Sequence, residues 1–225
     1  MSNTDLIREV DEELRNEQIK KLWEKYRGLL MAGAIAIVVV VGGYKLWQGY
    51  KEREAAAAGA QFDAATSLMA AGKPDEAAKA LDAIAASGPA AYAALANLRL
   101  AAKSAADGKT DDAAARYDAL AANANADATL RGYARLQSAQ LKLDKSDFTA
   151  MQNQLNDLAT PDGVWRNGAR ELLGLSAYKA GKLAEADDYF AAILADKDGH
   201  GPIGQLAQTM RELILAATAK PAAAK

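Results

Sequence analysis

Hydrophobic positions follow two different rules along this chain. From Gly28 to Tyr44 the run GLLMAGAIAIVVVVGGY carries no charge over seventeen residues and is apolar on every face of a helix. At about 1.5 Å per residue it spans roughly 25 Å, somewhat short of a hydrocarbon core of about 30 Å. Lys45 relieves the deficit by snorkelling, so that Leu46, Trp47 and Tyr50 extend the segment into the interface. Trp23 and Tyr26 supply matching aromatic residues at the other edge. Beyond residue 60 the rule changes to stripes at helical spacing: Ala77/Leu81/Ile84, Ala113/Tyr117/Leu120, Phe148/Met151/Leu155/Leu158 and Ala186/Phe190/Ile193. Each follows a partner stripe: Phe62/Leu68/Met69, Tyr92/Leu95/Leu98, Leu130/Tyr133/Leu136 and Trp165/Leu172/Leu173. The pattern predicts one transmembrane helix over 28–47, then an all-α domain of helix pairs.

Between the two stripes of every pair a polar phrase returns. Gly72-Lys-Pro-Asp-Glu-Ala77, Gly108-Lys-Thr-Asp-Asp-Ala113, Asp144-Lys-Ser-Asp-Phe-Thr149 and Gly181-Lys-Leu-Ala-Glu-Ala186 stand at intervals of 36, 36 and 37 residues. Each reads as a Gly or Asp C-cap, a tight turn, and the amino end of a second helix, with acids in the first turn. Alanine, the best helix former, makes up nearly half of the 51% apolar content and predominates beyond the apolar run. Small residues beside large ones let the helices of a hairpin approach closely while large side chains bridge to the next hairpin.

A helix pair at this period resembles the tetratricopeptide repeat, whose standard period is about 34 residues. Ala113/Tyr117 and Ala186/Phe190 match its small-then-aromatic element, whereas its tryptophan-containing first-helix signature is missing from every unit. The repeats are therefore degenerate, about four hairpins forming an α-solenoid. The last helix, Ile203 to Thr218, is expected to cap the stack. The expected division is 1–27, a cytosolic segment with short amphipathic helices; 28–47, the transmembrane helix; 48–59, a linker or helix extension; 60–219, the repeat domain; and 220–225, a disordered tail.

Charge orients the chain. Arg8, Arg15, Lys20, Lys21, Lys25 and Arg27 precede the apolar run, whereas Lys45, Lys51 and Arg53 follow it before a gap to Lys73. The positive-inside rule then places the N-terminus in the cytosol and about 175 residues outside it. A cleaved signal peptide is the rival reading, since Glu54 to Ala60 offers small residues. The long acidic leader and the length of the apolar run argue against it. Before the run, Leu6, Ile7, Val10 and Leu14 form one stripe, while Ile19, Leu22, Trp23 and Tyr26 lie on another face. The second group, flanked by basic residues, suits the inner membrane surface. Gly28, Ala32 and Ala36 form a small-residue face for packing against another transmembrane helix. There is no cysteine, so no disulfide can form in an oxidising compartment.

With 27 basic against 29 acidic residues and no basic cluster in the outer domain, nucleic-acid binding is disfavoured. No P-loop, HExxH, GxSxG or Cys/His metal pattern occurs, and the single histidine, His200, lies in the turn segment DKDGHGP. No catalytic residue, metal or cofactor is expected. The acid pairs Asp75/Glu76, Asp111/Asp112 and Asp187/Asp188 belong to helix starts. Bulky residues at helical spacing are more often core than contact. Those with an arginine nearby are the better candidates for protein binding: Tyr92, Arg99, Tyr133, Arg135, Trp165, Arg166 and Arg170.

The stretches DEELRNEQIKKLWEKYRGLL, AYAALANLRLAA and WRNGARELLGLSAYKAGKLAEADDYF, and the order of parts, resemble the ancillary subunit family of the bacterial SecYEG translocon. The resemblance covers nearly the whole chain. It implies a non-enzymatic, membrane-anchored adaptor beside the SecYEG translocon that helps pass exported proteins to periplasmic chaperones. It implies no particular binding residues. An alternative reading is a periplasmic scaffold that coordinates cell-wall synthesis or division.

Overall fold

The computed structural model describes the backbone of residues 3–219 and the side chains of residues 20, 23–28 and 31–219. The expected tail over 220–225 lies outside the described residues, as do the side chains of Leu6, Ile7, Val10, Leu14, Ile19 and Leu22. Among the described residues the regular structure is entirely helical, in nine elements. The chain divides into two compact units, Met1–Ala56 and Ala57–Lys225.

The first unit is helical from Asn3 and belongs to α1 (Asn3–Ala70). The backbone has no break between the expected short helices and the apolar run, because the first proline is Pro74 and isolated glycines weaken a helix without ending it. Within α1 the side chains of Ile35, Ile37, Val38, Val39, Val40 and Val41 all face outward, Val38 being 70% exposed. Among the described residues this is the one helix long and apolar enough to cross a membrane.

The second unit stacks hairpins. The end of α1 pairs with α2 (Pro74–Ser87), α3 (Ala90–Ala106) with α4 (Thr110–Ala122), α5 (Ala128–Lys142) with α6 (Phe148–Leu155), and α7 (Arg166–Lys179) with α8 (Leu183–Leu194). The last helix, α9 (Pro202–Ala219), packs on α8 and α7. The stripes read from the second helices are the buried ones: Ala77/Leu81/Ile84, Ala113/Tyr117/Leu120, Phe148/Met151/Leu155 and Ala186/Phe190/Ile193.

Three of the four turns are the same device. Gly72, Gly108 and Gly181 take φ of 74°, 77° and 73°. Their N–H groups donate to Met69, Ala105 and Tyr178 carbonyls, and those of Lys73, Lys109 and Lys182 to Leu68, Ser104 and Ala177. These paired bonds are Schellman closures, which satisfy the last carbonyls of one helix, while the lysine stands at the N-cap position of the next and accepts its first bond through the backbone carbonyl, with no side-chain cap. An L side chain in that left-handed region costs about 1–2 kcal/mol, which is why glycine recurs there. The third turn departs from the expected C-cap: Asp144 does not enter the left-handed region. There the Lys145 and Ser146 N–H groups donate to Lys142, and Asp147 caps α6 by accepting from the Ala150 N–H at 2.8 Å.

On the first helices most of the deepest positions are small. Ala94, Ala96, Leu100 and Ala101 on α3 are followed 38 residues later by Gly132, Ala134, Ser138 and Ala139 on α5. After another 38 come Arg170, Leu172, Ser176 and Ala177 on α7. The larger Leu95, Leu98, Tyr133 and Leu136 stay partly exposed. Close helix approach through alanine, glycine and serine pushes those bulky side chains aside, where they line clefts.

Candidate protein-binding clefts

Among the described residues two clefts open along the first helices of successive hairpins. The larger, about 340 Å³, is lined by Phe62 of α1, Leu95, Leu98, Arg99 and Ala102 of α3, Tyr117 of α4 and Tyr133 of α5. The smaller, about 170 Å³, is lined by Leu136, Gln140 and Leu143 of α5 and by Gly168, Glu171, Leu172 and Leu175 of α7. Tyr133, Leu136 and Gln140 stand at i, i+3 and i+7, so a single stripe of α5 serves both clefts.

The seven residues chosen from sequence separate into distinct roles. Arg99 and Tyr133 line the larger cleft, and Arg99 makes no ion pair or side-chain hydrogen bond among the described residues. Tyr92 packs beside it, its ring 6.2 Å from Phe62 and its hydroxyl filling the space above Gly59. The Trp165 ring lies 5.3 Å from Tyr133, over Gly132, and its indole N–H donates to the Thr129 carbonyl at 2.9 Å. The three remaining arginines hold the chain together. Arg135 donates through both terminal nitrogens to Asp157, at 2.7 Å each, and also to the Gln154 carbonyl. Arg166 binds Asp196 through two bonds of 2.5 and 2.7 Å and Asp198 at 2.5 Å. Arg170, itself buried, reaches Asp196 at 3.0 Å and the Ala159 and Ala192 carbonyls.

These partners lie 11 to 32 residues away in sequence, and the carboxylates among them at least 22, so spacing alone does not reveal them. Adjacency of arginine to an aromatic residue is a weak signal for a free cation. Sequence reasoning also passed over Glu171 and Gln140. A signal for Glu171 does exist, since Leu95, Tyr133 and Glu171 follow the same 38-residue interval, which puts a carboxyl where the preceding units carry apolar side chains. On α1, Ala32 and Ala36 are exposed and Gly28 has open space above it, as a helix-packing face requires.

The carboxyls titrate in opposite directions. Asp196 is held well below the usual range, chiefly by the Arg166 hydrogen bond, Asp157 is lowered by Arg135, and Asp187 by Arg211. Burial pushes Glu171 up. The stabilisation from the three aspartates is present above an unfolded value of about 3.9 and is lost as pH falls through their depressed folded values. Glu171 imposes no penalty below an unfolded value of about 4.3, and destabilises as pH rises through its raised folded value. Stability is therefore expected to fall steeply in acid and to decline gently from the mildly acidic range toward neutrality. Thermal midpoints between about pH 2 and 8 check this: the gentle limb disappears in Glu171→Gln, and a limb unchanged in that variant would exclude Glu171 as its source.

Stacked hairpins joined by glycine-closed turns, with clefts between their first helices, define a helical repeat protein built to contact other proteins. The chain belongs to the tetratricopeptide repeat-like domain family, which it matches over residues 20–213. No curated protein and no solved structure matches it. Among the described residues no group of His, Asp or Glu is arranged to hold a metal ion.

Proposed function

We propose that this chain is a membrane-anchored adaptor that holds a segment of another protein in the cleft between α3 and α5. One observation carries the reading: an apolar cleft walled by Phe62, Tyr117 and Tyr133 also presents Arg99, whose guanidinium has no intramolecular partner among the described residues. Aromatic rings and arginine dominate protein-binding hot spots because they combine large buried area with directed hydrogen bonds. The family is one of interaction modules rather than catalysts, which agrees with a binding role.

The finer assignment rests on the resemblance to the ancillary SecYEG subunit family and on the charge asymmetry across the apolar run. In this reading 28–47 spans the inner membrane, the N-terminus is cytoplasmic and the repeats are periplasmic. The Gly28/Ala32/Ala36 face packs against a translocon helix, and exported proteins or chaperones occupy the cleft.

In-cell photo-crosslinking tests both levels. A photoreactive residue at Ala32 is expected to capture translocon subunits, and one at Leu98 to capture exported proteins or chaperones. Capture at Leu98 is expected to fall by about tenfold or more in Arg99→Ala and Tyr133→Ala, the loss typical of hot-spot truncation. Undiminished capture in those variants would remove the cleft. Cell-wall synthases or division proteins at either position would replace the export role with the scaffold role.

A further inference from the structure

The second cleft differs in chemistry from the first. Leucines 136, 143, 172 and 175 form its walls, yet Glu171 places a carboxyl among them, with Gln140 as the other polar side chain. Glu171 is half-buried and takes part in no ion pair or side-chain hydrogen bond among the described residues. A carboxylate in such surroundings loses hydration without receiving a counter-charge, a cost that only an added cation or a proton offsets. Burial accordingly raises its pKa.

The cations of the two helices lining this cleft are engaged elsewhere. On α5, Arg131 lies near Asp127, Arg135 is bound to Asp157, and Lys142 to Asp118 at 2.5 Å. On α7, Arg166 and Arg170 converge on Asp196, and Lys179 donates to the Leu143 and Asp144 carbonyls. None of these pairs with Glu171 among the described residues, so a cation brought by a bound partner is the complement this carboxylate lacks.

We propose that the α5–α7 cleft is a subsite for a lysine or arginine side chain of the bound protein segment. Its aliphatic stem lies along the leucine walls and its cation meets the Glu171 carboxylate, the division between apolar stem and charged head that both side chains allow. A volume of about 170 Å³ is on the scale of a single long side chain rather than of a small-molecule site. The subsite deepens the adaptor reading and rests on it. The two clefts are about 10 Å apart along α5, measured by the seven residues from Tyr133 to Gln140 at about 1.5 Å each. An extended segment covers that distance in about three residues, so the basic residue belongs about three positions from the side chain that fills the first cleft.

The test uses the purified full chain in detergent and pools of nonapeptides with a central residue fixed as Lys, Arg, norleucine or Glu, the other positions randomised. Wild type is expected to retain the Lys and Arg pools at least about fivefold better than norleucine, which has the stem without the charge, and to reject Glu. Glu171→Gln is expected to lose the preference over norleucine, and Glu171→Arg to favour the Glu pool. Tyr133→Ala is expected to weaken all pools while leaving the ratio of Lys to norleucine unchanged. Thermal unfolding of each variant verifies that the fold persists. Pools retained equally well whatever their central residue, or a cationic preference that survives in Glu171→Gln, would overturn the subsite and leave the adaptor reading standing. Failure to retain any pool would overturn both.

Discussion

Replacing Phe190 with alanine is expected to lower the unfolding free energy by about 3–5 kcal/mol, the range for truncating a fully buried aromatic side chain. Phe190 is 0% exposed and belongs to the core cluster formed by α6, α7, α8 and α9 with Ala139 of α5. For a chain of this size that corresponds to a fall of roughly 6–20 °C in thermal midpoint at about 2–4 °C per kcal/mol. The ring also explains Gly174. A Cβ placed there would stand 2.8 Å from the Phe190 Cζ, too close unless the ring moves. Gly174→Ala alone therefore combines a helix-propensity gain of about 1 kcal/mol with an overpacking cost of about 1–3 kcal/mol, and is expected to be destabilising on balance. In the Phe190→Ala background the clash is gone and only the gain remains. A double-mutant cycle by thermal or urea unfolding should thus show coupling on the order of 1–3 kcal/mol, and strict additivity would contradict the contact.

The damage is not expected to stay local. Successive core clusters draw on neighbouring hairpins: Ala65, Leu81 and Leu100 in one, Tyr117, Leu120 and Ala134 in the next, and Met151, Leu173, Phe190 and Met210 in the last. In such a stack each hairpin is stabilised by its neighbours, so a weakened α7–α8 pair releases α9 and α6 as well.

The second large effect concerns the apolar run. Arginine at both Ile37 and Val40, each exposed on α1, is expected to abolish membrane retention. Near the centre of a span each arginine costs about 2.5–3.5 kcal/mol, so the pair shifts partitioning by about four to five powers of ten. The measurement is the fraction of chain that stays with the membrane through alkaline extraction. A variant that still sediments with membranes would show that another part of the chain anchors it. A full loss, with the repeat domain still helical and soluble, would separate anchoring from folding, as expected for units with separate internal packing.

Much of this organisation was legible in the amino-acid sequence because it depends on local rules. An uncharged run of seventeen residues can form a span with no help from other elements. Gly-Lys at three of the four turns dictates its own hydrogen bonding, since the left-handed C-cap needs glycine whatever surrounds it. The buried stripes of α2, α4, α6 and α8 follow from helical periodicity alone. Tertiary structure decided what periodicity does not encode. It set Arg135, Arg166 and Arg170 against carboxylates 22 to 32 residues away, leaving Arg99 without such a partner among the described residues. It also brought Glu171 in among the leucines of two different helices. The physical reason is range: capping and helical facing are settled within about two turns of chain, whereas neutralising or desolvating a charge depends on which distant side chains packing brings within a few ångströms.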